Sequence, residues 1–543
     1  MTAANQIIGR TLSRLLRLPP RTADHEVRHR VRVPMRDGVE LVADHYRPLT
    51  SNPAGTLLVR GPYGRRYPVS VLFGAVYASR GYHVVVQSVR GTFGSGGDFD
   101  PFRHEIADGA DTAAWLREQP WFTGSFATIG MSYLGFTQWA LLTDPPPEMA
   151  AAVITVGPHD ISGPRWGTGS FGLNDFLGWS DSVARQEDPG RVRAIVRHAR
   201  AARLVARATA GVPVGEAGRA LLGEGARWYE SWLEHPEHDD PFWTPLQLDA
   251  ALDRAEIPVL LLTGWQDLFI EQTLAQYARL RGRGVPVAVT IGPWNHSHML
   301  RTGAPTVLRE SLAWLDTHLA GNHGVSRSPV RIHVNHKGWI NLEDWPPAMP
   351  EQVRYLQPGG RLGDAVPPDT APASAFTYDP ADPTPTIGGR LLSPDGGYRN
   401  DTKLAERADV LSFTSDALSA DLYVVGNPVI ELSHSCGNPH NDLFVRVSEV
   451  DAKGRSRNAT DGYRRGTPTS GSVTIELDPV AHRFRAGSRI RVLVAGGSHP
   501  RFARNLGTGE PLVSGHRLAP ATHTVHLGEG ASRLRLPAGP YLP

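Results

Sequence analysis

One cysteine, Cys436, stands alone in a chain of 543 residues. No intrachain disulfide can therefore form, Cys-based metal sites are excluded, and a reducing cytoplasm is the expected compartment. Charge of one sign is also missing. The 56 Lys and Arg residues against 54 Asp and Glu leave a net charge of +2, so nothing global points to nucleic acid or to an acidic partner. Long hydrophobic runs are absent too, and no stretch approaches the length that spans a bilayer. At the N-terminus Ile7, Ile8, Leu12, Leu15, Leu16 and Leu18 are interleaved with Arg10, Arg14 and Arg17. That pattern lacks the uninterrupted apolar core of a signal peptide. It reads as a short helix packed on its own domain, a frayed end, or an amphipathic helix on a membrane surface.

What is present is a chain too long for one core, with two or three domains expected. Apolar runs without alternation occur at Thr56–Val59, Val84–Val86, Phe126–Ile129, Ala152–Val156, Val259–Leu262 and Val287–Ile291. Such runs suit strands covered on both faces, and helix-like segments at 107–117 and 271–280 lie between some of them. The pattern predicts an α/β core over residues 1–156 and 244–327, closed by a helix carrying Leu308, Leu312, Leu315 and Leu319 on one face. Residues 157–243 interrupt it with helical spacing and a group of aromatics, which predicts a helical cap inserted over the carboxyl edge of the sheet. From 328 to 543 the runs Val330–Val334, Leu443–Val447, Val473–Leu477 and Ile490–Val494 alternate apolar and polar residues between Pro and Gly turns. This predicts an all-β jelly-roll domain, galactose-binding-like in class, with Pro358–Pro385 wrapped over its surface as a loop.

The sharpest local signal is Ile129-Gly130-Met131-Ser132-Tyr133-Leu134-Gly135, between a predicted strand and a predicted helix. A serine on such a turn is thrust above the sheet with the helix N-terminus behind it, where negative charge is favoured. Leu134 stands where G-x-S-x-G would place its second glycine, and by itself a Gly-x-Ser turn is also an ordinary helix N-cap. Two further strand ends carry Gly264-Trp265-Gln266-Asp267 and Gly292-Pro293-Trp294-Asn295-His296. The order Ser, Asp, His at successive strand ends is that of α/β-hydrolases. A hydroxyl becomes nucleophilic when an imidazole takes its proton and a carboxylate orients the imidazole. Singly, Asp267 reads equally as an N-cap and His296 as a loop histidine. His298 is the rival base, and His159 reads as cap or pocket lining. Tyr63, by position alone, is a turn aromatic. The glycine-rich Arg90–Gly97 lacks the Lys-Ser/Thr of a phosphate loop and reads as a flexible loop on the cap side. No His-x-x-x-His with a nearby acid stands out, so neither a metal nor another cofactor is expected.

Taken together, these residues resemble bacterial cocaine-esterase-like hydrolases, allied to the X-Pro dipeptidyl-peptidases and glutaryl-cephalosporin acylases. The resemblance runs through Val33-Pro34-Met35-Arg36-Asp37-Gly38-Val39, Tyr46-Arg47-Pro48, Arg60-Gly61-Pro62-Tyr63, Gln87–Gly91, the Ser132 elbow and the two later strand ends. It continues in Trp345-Pro346-Pro347 and Pro500-Arg501-Phe502-Ala503-Arg504-Asn505. Gly-x-Ser-Tyr-x-Gly is that family's own elbow, so Leu134 ceases to be an anomaly. The resemblance implies Ser132 as nucleophile, Asp267 and His296 as its partners, and Tyr63 with the Tyr133 amide as oxyanion hole. It also implies Trp166, Trp179 and Phe269 along an acyl pocket. The expected substrate is a small ester or amide, with an X-Pro dipeptidyl-peptidase or an acylase as the alternative and a binding protein on a hydrolase scaffold as the non-enzyme alternative. The jelly roll is expected to wall the active site and to serve as the pairing surface if the chain forms a homodimer.

Overall fold

The computed structural model describes residues 14–188, 191–322 and 327–542, with the side chains of residues 191–199 and Glu529 outside the description. Most of the Arg-rich N-terminal segment singled out above lies outside the described residues. The chain forms two compact units. The first comprises the residues up to Ile161, Trp243–Gly264 and Gln272–Val330; the second comprises Ser162–Phe242, Trp265–Glu271 and Arg331–Pro543.

In the first unit the strands β1 (His25–Pro34), β2 (Glu40–Pro48), β3 (Gly55–Gly61), β4 (Tyr82–Ser88), β5 (Phe126–Met131), β6 (Met149–Thr155), β7 (Val259–Gln266) and β8 (Val287–Asn295) follow one another along the chain. They lie side by side in the order β1-β2-β4-β3-β5-β6-β7-β8. β2 is antiparallel to β4, whereas β4, β3, β5, β6 and β7 run parallel. Every residue of β3, β4 and β7 is buried, as expected of strands covered on both faces. Helices α1 (Glu105–Arg117) and α2 (Tyr133–Leu142) flank the first strands. The closing helix ends at His318, and Leu319, one residue beyond it, lies where a Cβ on Gly55 would sit.

Two of the early motifs work as ties. Arg36 Nε donates to Asp111 of α1 at 2.7 Å. Arg90 holds Asp108 with two bonds of 3.1 and 2.7 Å and pairs with Asp37 at 2.8 Å. The Arg90–Gly97 loop, expected to be flexible, is bound down instead. Ser95 Oγ accepts from the Val42 amide at 2.9 Å and donates to the Ser88 carbonyl at 2.8 Å, while the Gly96 amide bonds to Glu40.

In the second unit the insertion is helical: α3 (Leu173–Ala184), α4 (Arg191–Thr209), α5 (Val214–Leu222) and α6 (Trp228–Glu234). It packs with the C-terminal strands. The Arg465 amide bonds to the Thr168 carbonyl, the Ala503 amide to Phe171, and Arg504 Nη2 to the Ala210 carbonyl at 3.0 Å. Thus Pro500–Asn505 stitches helices to strands, while its Arg501 reaches the buried Asp461 at 3.1 Å.

The C-terminal strands build the expected all-β domain around a core that includes Phe413, Ile430, Leu443, Val492 and Leu534. Two expectations change. The Pro358–Pro385 segment is not all loop: Ser374–Tyr378 is a strand paired with Ala521–His526. Its alternation, with Phe376 and Tyr378 buried and Ala375 and Thr377 exposed, is short and masked by the surrounding prolines. The strand Asp442–Val450 is buried along its whole length rather than on one face. Its polar residues are tolerated because they are paired, as Arg446 is by two bonds to Asp461 of 2.6 and 2.9 Å.

Candidate active site

Ser132 follows the last residue of β5 and precedes the first residue of α2. Its backbone has φ 60 and ψ −120, a region that non-glycine residues occupy only when the surroundings compel it. Its amide is fixed to the Thr155 carbonyl at 2.9 Å, and its own carbonyl accepts from Gly135 at 2.7 Å. The serine sits at the N-cap position, yet its hydroxyl makes no capping bond to the helix. The ordinary N-cap account of a Gly-x-Ser turn therefore does not describe it.

The displaced glycine also has a steric cause. The Leu134 side chain fills the space above Gly130 and Gly61, where a Cβ on either would come within 2.4 and 2.3 Å of it. Gly135, one position later, is where α2 meets the neighbouring strand end, and a Cβ there would lie 2.4 Å from Gly157 Cα. Gly135→Ala should therefore cost about 1–3 kcal/mol by overpacking, read as a lowered denaturant midpoint. An unchanged midpoint would mean that this contact does not constrain the elbow.

Beneath the turn the Tyr133 ring is fully committed. Its hydroxyl donates to Glu105 Oε1 at 2.8 Å and accepts from the Phe102 amide at 2.9 Å. The ring stacks on Phe102 with centroids 4.3 Å apart. Burial, reinforced by the Glu105 charge, pushes the phenol pKa well above its ordinary value, so the hydroxyl stays protonated and the ring acts as an anchor. Glu105 is itself buried and paired with buried Arg60 at 3.1 Å, and Arg60 Nε bonds to Gln87 at 2.7 Å. This Arg60–Glu105–Tyr133 chain escaped the sequence reading. The one available signal was a charged residue continuing the apolar run of β3. Tyr63 is half-buried and meets the Tyr133 ring edge-on at 6.4 Å.

His296 follows β8 and is 4% exposed; it opens a single helical turn capped by Asn295, whose side chain accepts from the His298 amide at 3.0 Å. His298 is half-buried in the same turn. Asp267, just past β7, is fully buried, and its Oδ1 accepts from the Phe269 amide at 2.8 Å. His159 is not part of the cap. It lies against helix α7 (Ile270–Gly282), where its Nδ1 is 3.0 Å from the Gln276 amide nitrogen, and against Trp139. Burial lowers its pKa, which suits a structural histidine.

Of the aromatics, Trp166 is buried within the insertion. Its indole nitrogen donates to the Trp232 carbonyl at 2.8 Å and its ring meets Phe171 at 5.1 Å. Trp179 is half-buried and stacks on Trp232 at 5.9 Å, and Phe269 is buried. Arg165, 1% exposed, lies over the Trp232 and Phe176 rings at 3.7 and 4.1 Å. Among the described residues no helix is long and apolar enough to cross a membrane.

A mostly parallel sheet of this order, with a serine on a positive-φ turn after the fifth strand, defines an α/β-hydrolase. Residues 37–298 match the family model of the X-Pro dipeptidyl-peptidase (S15 family), and residues 322–535 match that of the X-Pro dipeptidyl-peptidase C-terminal non-catalytic domain. The chain belongs to this cocaine-esterase-like and X-Pro dipeptidyl-peptidase family and is a serine hydrolase. It is 29% identical to the cocaine esterase of Rhodococcus sp., over 95% of this chain and 99% of that enzyme. Its fold matches an α-amino acid ester hydrolase with TM-score 0.82 and 23% identity, covering 95% of this chain and 97% of that one. An aminopeptidase from a Thaumarchaeota archaeon matches with TM-score 0.82 and 23% identity, covering 96% and 98% of the two chains.

Proposed function

We propose that this protein hydrolyses carboxylic esters, and amides of similar size, through an acyl-enzyme on Ser132. The observation that carries the reading is the Ser132 backbone at φ 60 and ψ −120 with a hydroxyl that caps nothing; strain of this kind is retained where a side chain must be presented. In this mechanism His296 takes the hydroxyl proton as Ser132 Oγ attacks the carbonyl carbon, and Asp267 keeps the imidazole in the useful tautomer. The C–O or C–N bond then breaks, and His296 returns the proton to the departing group. Water, deprotonated by His296, releases the acid. The chemistry needs no cofactor.

The negative charge that builds on the carbonyl oxygen is assigned to the Tyr63 hydroxyl and the Tyr133 amide, the latter at the positive end of α2. Tyr63→Phe should lower kcat/KM by about 10²–10³; an unaltered rate would return Tyr63 to the role of a turn aromatic. Trp166, Trp179 and Phe269 are proposed to line the acyl pocket, where an apolar acyl group gains from burial and stacking. The similarity to a cocaine esterase supports the ester preference. The single cysteine, buried and free, supports a cytoplasmic site of action.

The X-Pro dipeptidyl-peptidase alternative needs a carboxylate to receive a free α-ammonium group. Glu271, the acid nearest Asp267 in sequence, is already held by Arg390 at 3.0 Å, and that charge lowers its pKa. A fluorophosphonate probe should label Ser132 in the folded protein, and an aryl ester should be cleaved in preference to a Gly-Pro amide. Absence of labelling would favour the binding-protein reading, and the reverse substrate preference would favour the peptidase.

A further inference from the structure

In the second unit, His336, Glu449 and His482 converge from three distant segments, and their donor atoms lie within 4.8 Å of one another. Glu449 Oε2 is 3.0 Å from His336 Nε2 and 3.1 Å from His482 Nε2. We propose that these three residues bind a divalent transition metal ion of the zinc type, with the solvent-facing side of His336 leaving room for a water as the fourth ligand. Nothing in the ester chemistry above requires this site.

The donor set and its spacing support the assignment. Two imidazoles and one carboxylate suit zinc and its neighbours rather than magnesium or calcium, which prefer all-oxygen shells. Zinc holds such donors at about 2.0–2.2 Å in a tetrahedron, which puts ligand atoms roughly 3.4 Å apart. The two Glu449 separations fall a few tenths of an ångström short of that edge, within the reach of small side-chain rotations, and the third donor pair lies within 4.8 Å.

The surroundings hold the donors in place. Glu449 lies on the strand Asp442–Val450, and its side chain is 6% exposed. Among the described residues its other oxygen receives long contacts, 3.3 Å from the Arg485 amide and 3.5 Å from the Arg485 guanidinium, itself half exposed. A buried carboxylate whose partners are two imidazoles, one backbone amide and one distant guanidinium gains from a bound cation. His482 lies on the strand Val480–Phe484. Its Nδ1 is 3.5 Å from the Asn335 side-chain nitrogen; ligation through Nε2 places a proton on Nδ1, toward which the Asn335 amide must then turn its oxygen. The Asn335 backbone is bonded on both sides to that strand, at 3.0 Å to Ala481 and 3.1 Å to Arg483.

His336 adds an independent indication. It occupies φ 64 in a tight turn closed by the Lys337 amide on Val334 at 3.0 Å. A β-branch-free but bulky residue is strained there, and glycine would fit at no cost. The strain is tolerated at the one turn position that carries the imidazole to Glu449.

The test uses the untagged full-length chain, stripped with chelator and titrated with Zn²⁺ alone by calorimetry. One saturable site per chain is expected, and Co²⁺ in its place should show the visible absorption of a tetrahedral ion. Glu449→Gln and His482→Ala should each weaken zinc binding at least tenfold. Because those positions are buried, His336→Gly is the decisive variant: it relieves the backbone and should fold at least as well, yet also lose at least tenfold in affinity. Absence of saturable zinc binding in the parent chain, or parent-like affinity in His336→Gly, would overturn the proposal and leave an ordinary hydrogen-bonded cluster.

Discussion

Ser132→Ala is expected to lower ester hydrolysis by about 10⁵- to 10⁶-fold, the scale seen when the nucleophile of a serine hydrolase is removed, while the chain keeps its fold. The size of the effect follows from the unit-like behaviour of nucleophile and base, since without Oγ the imidazole has nothing to activate but water. Folding should survive because the hydroxyl makes no capping bond to α2. The turn is held instead by main-chain bonds from Ser132 to Thr155 and from Gly135 and Phe136 to Ser132. Alanine keeps the same Cβ, so it neither relieves nor worsens the positive φ. The measurement is turnover of an aryl ester beside circular dichroism and a thermal melt. Turnover within tenfold of the parent, with an intact melt, would sink the assignment of Ser132.

His296→Ala should be nearly as damaging, about 10⁵-fold or more, whereas His298→Ala should stay within about tenfold of the parent. The two histidines are two residues apart and share one helical turn, so sequence distance alone does not separate them. The structure distinguishes their surroundings. His296 is 4% exposed directly after β8, while the amide of half-buried His298 is tied to the Asn295 side chain. A base that must hold one tautomer for a buried carboxylate belongs in the drier position. Equal losses in the two variants would point to a structural role for the whole turn, and a reversed ranking would make His298 the base.

The core of the first unit was legible because β3, β4 and β7 are apolar on both faces, so composition alone marks them. The placement of Ser132, Asp267 and His296 just past strand ends was legible because an apolar run precedes each of them. Long-range pairing was not legible. Arg60 and Glu105 look like unrelated surface charges until β3 and α1 bring them 3.1 Å apart beneath Tyr133. The strand Asp442–Val450 misled in the same way: the alternation of Leu443–Val447 predicts a half-buried strand, and Arg446 is instead buried and paired. The His336–Glu449–His482 cluster shares this property, since local metal-binding spacings cannot reveal ligands gathered from three segments.

The joining of the helical insertion to the C-terminal strands has a consequence for how the chain is made. Ser170 bonds to Ala503, its partner 333 residues later, and Arg504 bonds back to Ala210. At roughly 5–20 residues per second of synthesis, the insertion leaves the ribosome about 20–70 seconds before the strands that cover it. During that interval the aromatic group around Trp166, Phe171, Phe176 and Trp232 has no β domain to pack on, although β7 and β8 are made early in it. Nascent chains should therefore pass through a long-lived open state, and truncation after residue 330 should leave the helices of the insertion without their packing partner and prone to association.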